Sequence, residues 1–253
     1  DAEDVARRAI EIDGLRASAL VPNLKGAERA FALGVPLVNY VLSASEAHNL
    51  ANVRRSTDES MADFARIAEA RDALEGPRIA LGAGIATSFG CTISGAVSED
   101  RVVQLAEQYA QAGADEIIVA DTVGYADPAQ VRRLMARVVS AVGKLPVLCH
   151  FHDTRGLGLA NVVAALEAGV RAFDASLAGL GGCPFAPGAT GNINTEDTVY
   201  MLEQMGFDTG IDVAALLALR AEVESWLPGE RFSGAIARAG LPKTYSARLD
   251  TAA

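Results

Sequence analysis

Two of the chain's three histidines stand in HFHDTRG, residues 150–156, with one phenylalanine between them. At i and i+2 on a strand, His150 and His152 project to one face, while Cys149 and Phe151 face the other. On a helix the same pair would diverge by about 200° and could not meet. Converging imidazoles ligate metals or move protons. Asp153 follows directly and Asp121 ends the preceding run EIIVAD, so acids arrive on the same rim. That company favours chemistry over a pair merely satisfied by nearby carbonyls.

A second group of reactive residues lies in GLGGCPFAPGATGN, residues 179–192. Its glycines and prolines forbid a regular helix or strand, and loops of this length in compact domains are usually binding loops or lids. Cys183 sits within it between Gly182 and Pro184. A thiol on a glycine-rich loop above histidines is a proton donor, a nucleophile or a redox-sensitive group. Asn192 closes the loop with a neutral oxygen. Two nitrogens plus oxygen donors suit an open divalent site for Mg²⁺ or Mn²⁺ better than a closed structural zinc site.

The elements that must carry these residues are strands alternating with helices. Strand-like runs occupy 15–22, 35–43, 78–86, 116–124, 145–153 and 171–179, with helical periodicity between them. Ser98-Glu99-Asp100, Asp127-Pro128 and Thr195-Glu196-Asp197 mark helix starts, and Gly113 and Gly169 mark helix ends. Mostly apolar strands alternating with helices make a parallel sheet covered by helices. Asp121, His150, His152 and the 179–182 turn all fall at C-terminal strand ends, where such folds build sites. No glycine-rich phosphate turn follows the first run, which favours a closed (β/α)₈ ring, the TIM barrel, over an open nucleotide-binding sheet. Only six strand–helix units are visible where a barrel needs eight. The expectation is therefore one α/β domain over residues 1–253, a TIM (β/α)₈ barrel with its first two strands missing from the chain.

Composition narrows the partners. A chain of 253 residues with a formal charge of −10 is unsuited to nucleic acid or an anionic membrane. Three scattered cysteines imply no disulfide framework and point to a reducing, cytoplasmic setting. No apolar run approaches the ~20 residues of a membrane span, and the opening DAEDVARRAIEI reads as an amphipathic helix rather than a signal peptide.

HFHDTRG, ADTVG and GLGGCPFAPGATGNINTEDTVYML resemble the 3-hydroxy-3-methylglutaryl-CoA (HMG-CoA) lyase family of metal-dependent TIM-barrel enzymes. VPNLKG and SASEAHN extend the likeness over most of residues 15–210. The cysteine loop is specific to the lyase branch, whereas His-x-His-Asp is shared with isopropylmalate- and homocitrate-synthase relatives. The resemblance implies that His150 and His152 are metal ligands on the seventh barrel strand and Asn192 is a further ligand. It makes Cys183 the catalytic acid, Asp121 an acidic active-site residue on the sixth strand, and Gly181 and Gly182 substrate-binding positions. An Arg-Asp pair on the first strand and a Glu on the second complete the family's site and have no counterpart in this sequence. WLPGERFSG, residues 226–234, lacks the Asn-x-Lys character of the family's CoA contacts. The implied cofactor is a divalent metal, Mg²⁺ or Mn²⁺, the partner an acyl-CoA, and the assembly a homo-oligomer of two or more subunits. The implied reaction is retro-Claisen cleavage of HMG-CoA to acetoacetate and acetyl-CoA. The rivals are a carboligase running the chemistry forward and an inactive relative with an incomplete site.

Overall fold

A computed structural model describes residues 1–181 and 191–245. Helix α1 (Ala2–Ile10) precedes a repeating strand–helix order. It runs β1 (Ser18–Val21), α2 (Leu24–Leu33), β2 (Leu37–Ser43), α3 (Glu46–Val53), α4 (Thr57–Asp72), β3 (Ala80–Ala86) and α5 (Glu99–Gln111). It continues with β4 (Glu116–Asp121), α6 (Pro128–Val142), β5 (Val147–Phe151), α7 (Gly158–Glu167) and β6 (Ala172–Asp174). Helices α8 (Thr195–Gln204), α9 (Val213–Trp226) and α10 (Ile236–Ala239) follow. All six strands are parallel and pair in chain order, β1 to β6. Among the described residues β1 and β6 each pair on one side only. The sheet is therefore a half-barrel, where the sequence predicts six strands of a closed ring.

The period-2 alternation decides which residues meet the helices. Val38, Tyr40 and Leu42 of β2, Leu81, Ala83 and Ile85 of β3, Ile117 and Val119 of β4, and Cys149 and Phe151 of β5 are buried on the outer face. There they pack against the apolar stripes of the helices, Phe64 of α4 meeting Tyr109 of α5 edge-on at 4.7 Å. The inner face carries Val41, Gly84, Ile118, Ala120 and His150, and bounds the cavity described below.

One buried cation ties the bottom of this arc. Arg71 of α4, its side chain 2% exposed, donates to Asp115 Oδ2 at 2.7 Å and to the carbonyls of Ile79 and Gly113. Asp115 Oδ2 also accepts Leu81 N at 2.8 Å. Asp115→Ala is expected to destabilise the protein by about 2 kcal/mol, because it removes one partner of a buried guanidinium that keeps Asp72 and two carbonyls, and leaves Leu81 N without its acceptor. Burial raises the Asp115 pKa, but hydrogen bonds from Leu81 N and the Arg78 and Arg71 guanidiniums leave it below its ordinary value. Its contribution is present above pH ~4, the unfolded value, and fades as pH falls through the lower folded pKa. Urea unfolding of the variant beside the wild type, at neutral and acid pH, checks both; equal stability at neutral pH would refute the role.

Candidate active site

The site forms at the C-terminal ends of β2 to β6. Thr87, just past β3, adopts a left-handed backbone with φ +57°, uncommon for a residue with a branched side chain. That turn lets its N–H donate to Thr122 Oγ1 at 2.8 Å while its own Oγ1 accepts Ser45 N at 3.1 Å. The ends of β2, β3 and β4 are thereby linked in one polar rim. Ser43 Oγ pairs with His48 Nδ1 at 2.7 Å on the same rim.

His150 and His152 do converge, although only His150 lies within β5. His152 is one residue past the strand, in an isolated antiparallel bridge to Asn192. Backbone bonds flank that bridge on both sides, Ile193 N to Phe151 O and Asp153 N to Gly191 O, each 3.1 Å. The two Nε2 atoms stand 3.1 Å apart. His150 Nδ1 lies 2.7 Å from Asp174 Oδ1. Burial lowers the His150 pKa, but the hydrogen bond and charge of Asp174, with the charge of Asp121, outweigh it and hold the ring above its usual value. Burial and the charge on His150 push His152 down to about 4.

Asn192 donates through Nδ2 to Leu180 O at 2.8 Å, and its Oδ1 is buried with no hydrogen-bond partner. His152 Nδ1 is likewise buried without one. Among the described residues no group of three or more His, Cys, Asp or Glu converges as a metal site. The donors present are two imidazole nitrogens and an amide oxygen. Adjacent ligands of an octahedral ion at about 2.1 Å lie about 3.0 Å apart, close to the spacing of the two Nε2 atoms. The residues present fit a divalent cation.

Asp121, the last residue of β4, is buried. Its Oδ1 accepts Tyr125 N at 2.8 Å, and its Oδ2 is buried with no hydrogen-bond partner. Burial pushes the carboxyl up to about 6, against the Tyr125 and Ala126 amides and the charges of His150 and Arg155. Of the loop positions, Gly181 is described and Gly182 and Cys183 lie outside the described residues. The sequence did not single out Asp174, His48 or Thr122. Asp174 was findable as the one acid in the strand-like run RAFDASLAG; it is the register partner of His150.

A cavity of about 490 Å³ is lined by Val41, Ile118, Ala120, His48, Thr122 and the histidine pair. Where the 179–192 segment returns to β5, backbones approach too closely for any side chain. Gly191, at φ +87°, would place a Cβ 2.1 Å from Gly179 O and 2.6 Å from Gly181 O. Gly191→Ala is expected to push Asn192 off its bridge with His152, lowering Mn²⁺ affinity at least tenfold and stability by about 1–2 kcal/mol from backbone strain alone. Metal titration and thermal unfolding check this, and wild-type behaviour in both would show that the close approach is dispensable.

Comparisons with known proteins bear on the family and the fold. A family model described as HMGL-like matches residues 4–223. The (R)-citramalyl-CoA lyase of Chloroflexus aurantiacus is 46% identical over 208 residues, 81% of this chain and 64% of that protein. The hydroxymethylglutaryl-CoA lyase of Bacillus subtilis is 39% identical over 224 residues, 88% of this chain and 74% of that one. The chain thus spans about two thirds to three quarters of the length of these relatives. A solved HMG-CoA lyase from Acenitobacter baumannii, in complex with coenzyme A and 3-methylmalate, superposes with a TM-score of 0.89 at 44% identity. That match covers 97% of this chain and 79% of the other.

Proposed function

Because the chain belongs to the HMGL-like family, we propose that it cleaves a 3-hydroxy-3-methylacyl-CoA by retro-Claisen chemistry, releasing acetyl-CoA and a keto acid. The observation that carries this is the meeting of the His150 and His152 Nε2 atoms at 3.1 Å on the strand ends, beside the buried and unpartnered Asn192 Oδ1. The sequence motifs favour HMG-CoA, which yields acetoacetate. Citramalyl-CoA, which yields pyruvate, is the second reading, favoured by the 46% identical relative. Both carry a hydroxyl and a methyl on C3 and differ in whether the carboxylate sits on C3 or one carbon away.

His150, His152 and Asn192 would hold Mg²⁺ or Mn²⁺. When bound, such an ion lowers the pKa of the substrate hydroxyl, as it does for water. A base takes the hydroxyl proton, and the oxygen's electrons then form the ketone as the C2–C3 bond breaks, the bond's electrons passing into the acetyl-CoA enolate. Asp121 stays in this proposal as the acidic residue beside His150, its unpartnered oxygen and pKa near 6 allowing it to hold a proton close to neutrality. Cys183 gives its thiol proton to C2 of the enolate. Gly181, at φ +111°, brings the backbone against Asn192 where a Cβ would meet Nδ2 at 2.8 Å; with Gly182 it would line the acyl-CoA. A reducing cytoplasm keeps such a thiol active, and no helix among the described residues is long and apolar enough to cross a membrane. The resemblance supports a homo-oligomer.

The loop thiol argues against a carboligase, since condensation starts by removing a C2 proton and needs a base there. An inactive relative would bind metal without turnover. Acetyl-CoA release from HMG-CoA and from citramalyl-CoA, with Mg²⁺ and with Mn²⁺, tests the proposal. Release from either supports cleavage and names the acyl group; Mn²⁺ binding with release from neither would overturn it.

A further inference from the structure

His150 and Asp174 are direct register partners in the β5–β6 pair, and the 2.7 Å contact joins His150 Nδ1 to Asp174 Oδ1. An ionised carboxylate only accepts, so Nδ1 carries the proton. In the neutral ring the lone pair then rests on Nε2, the atom that faces His152. His152 has no comparable anchor, because its Nδ1 makes no hydrogen bond. We propose that Asp174 is the positioning residue of the site: it fixes the tautomer and plane of His150 so that Nε2 presents its lone pair to a divalent cation. This rests on the metal-dependent lyase reading above and names the residue that prepares its ligand. Outer partners of this kind orient the ring and raise its basicity. Asp174 and His150 both lie on strands, which hold the pair more rigidly than a loop would.

A competing role exists for Asp174. An inward-pointing charge on an edge strand also blunts edge-to-edge pairing, and such a residue would not influence a histidine tautomer. The full chain with ¹⁵N-labelled histidine separates the two, since the 253 residues hold only three histidines. Under alkaline conditions the wild type is expected to show His150 protonated at Nδ1 and bare at Nε2. Asp174→Ala should give exchanging tautomers and a 10–100-fold loss of Mn²⁺ affinity, with little change in thermal unfolding. Asp174→Asn, which keeps an acceptor of the same shape, should lose less. A wild-type tautomer with wild-type Mn²⁺ affinity in Asp174→Ala overturns the proposal. So does a total loss of Mn²⁺ binding equal to that of His150→Ala, which would make Asp174 a ligand. His152→Ala reports on the underlying reading: undiminished Mn²⁺ binding there removes the metal site itself, whatever Asp174 does.

Discussion

His152→Ala in the full chain is expected to lower Mn²⁺ affinity by more than about 10²-fold, beyond the 10–100-fold that outer partners cost, and to abolish cleavage. The residue is 6% exposed and its Nε2 stands 3.1 Å from that of His150. Its removal leaves one imidazole and one amide oxygen among the proposed donors. The fold should survive, because the bridge to Asn192 is made by backbone, which alanine keeps. His150→Ala should behave alike. Isothermal titration with Mn²⁺, run beside circular dichroism, is the measurement; wild-type binding in both variants sinks the ligand assignment.

Cys183→Ser is expected to slow turnover by roughly 10²–10⁴-fold, the usual worth of a general acid. A thiol of ordinary pKa, about 8.5, is mostly protonated at pH 7 and is a far stronger acid than a hydroxyl. Serine keeps the shape and loses the acidity. Mn²⁺ affinity should barely change, since sulfur is not among the proposed donors. Alkylation of Cys183 should inactivate the enzyme, and a bound substrate analogue should protect it. Near-normal turnover in the serine variant would take the thiol out of the mechanism, and lost Mn²⁺ binding would make it a ligand.

The six parallel strands were legible in the sequence because a strand's two faces are written in alternate residues; the open half-barrel they form was not. Cys149 and Phe151 are apolar and buried, and His150 between them faces the cavity. The same rule, applied to EIIVAD, would have sent Asp121 outward with Ile117 and Val119. Its place at a strand end suggests the rim instead, and alternation alone does not decide between the two. Strand ends were less legible: the run 171–179 shortens to Ala172–Asp174, and the run 145–153 to Val147–Phe151. Local composition does not say where a ladder partner stops. Asp174 escaped notice for a related reason, since its meeting with His150 is a fact of register between strands 24 residues apart.

The paired backbone bonds on either side of His152–Asn192 have a mechanical meaning. They tie Gly191, Asn192 and Ile193 to the end of β5, so that Asn192 leaves its place opposite His152 only if Phe151–Ile193 and Asp153–Gly191 break. The amide oxygen and the thiol are nine residues apart in sequence, and these bonds act on Asn192. Evolution could therefore retune the stretch between them, in length or in side chains, for a different acyl group without redesigning the cation's seat.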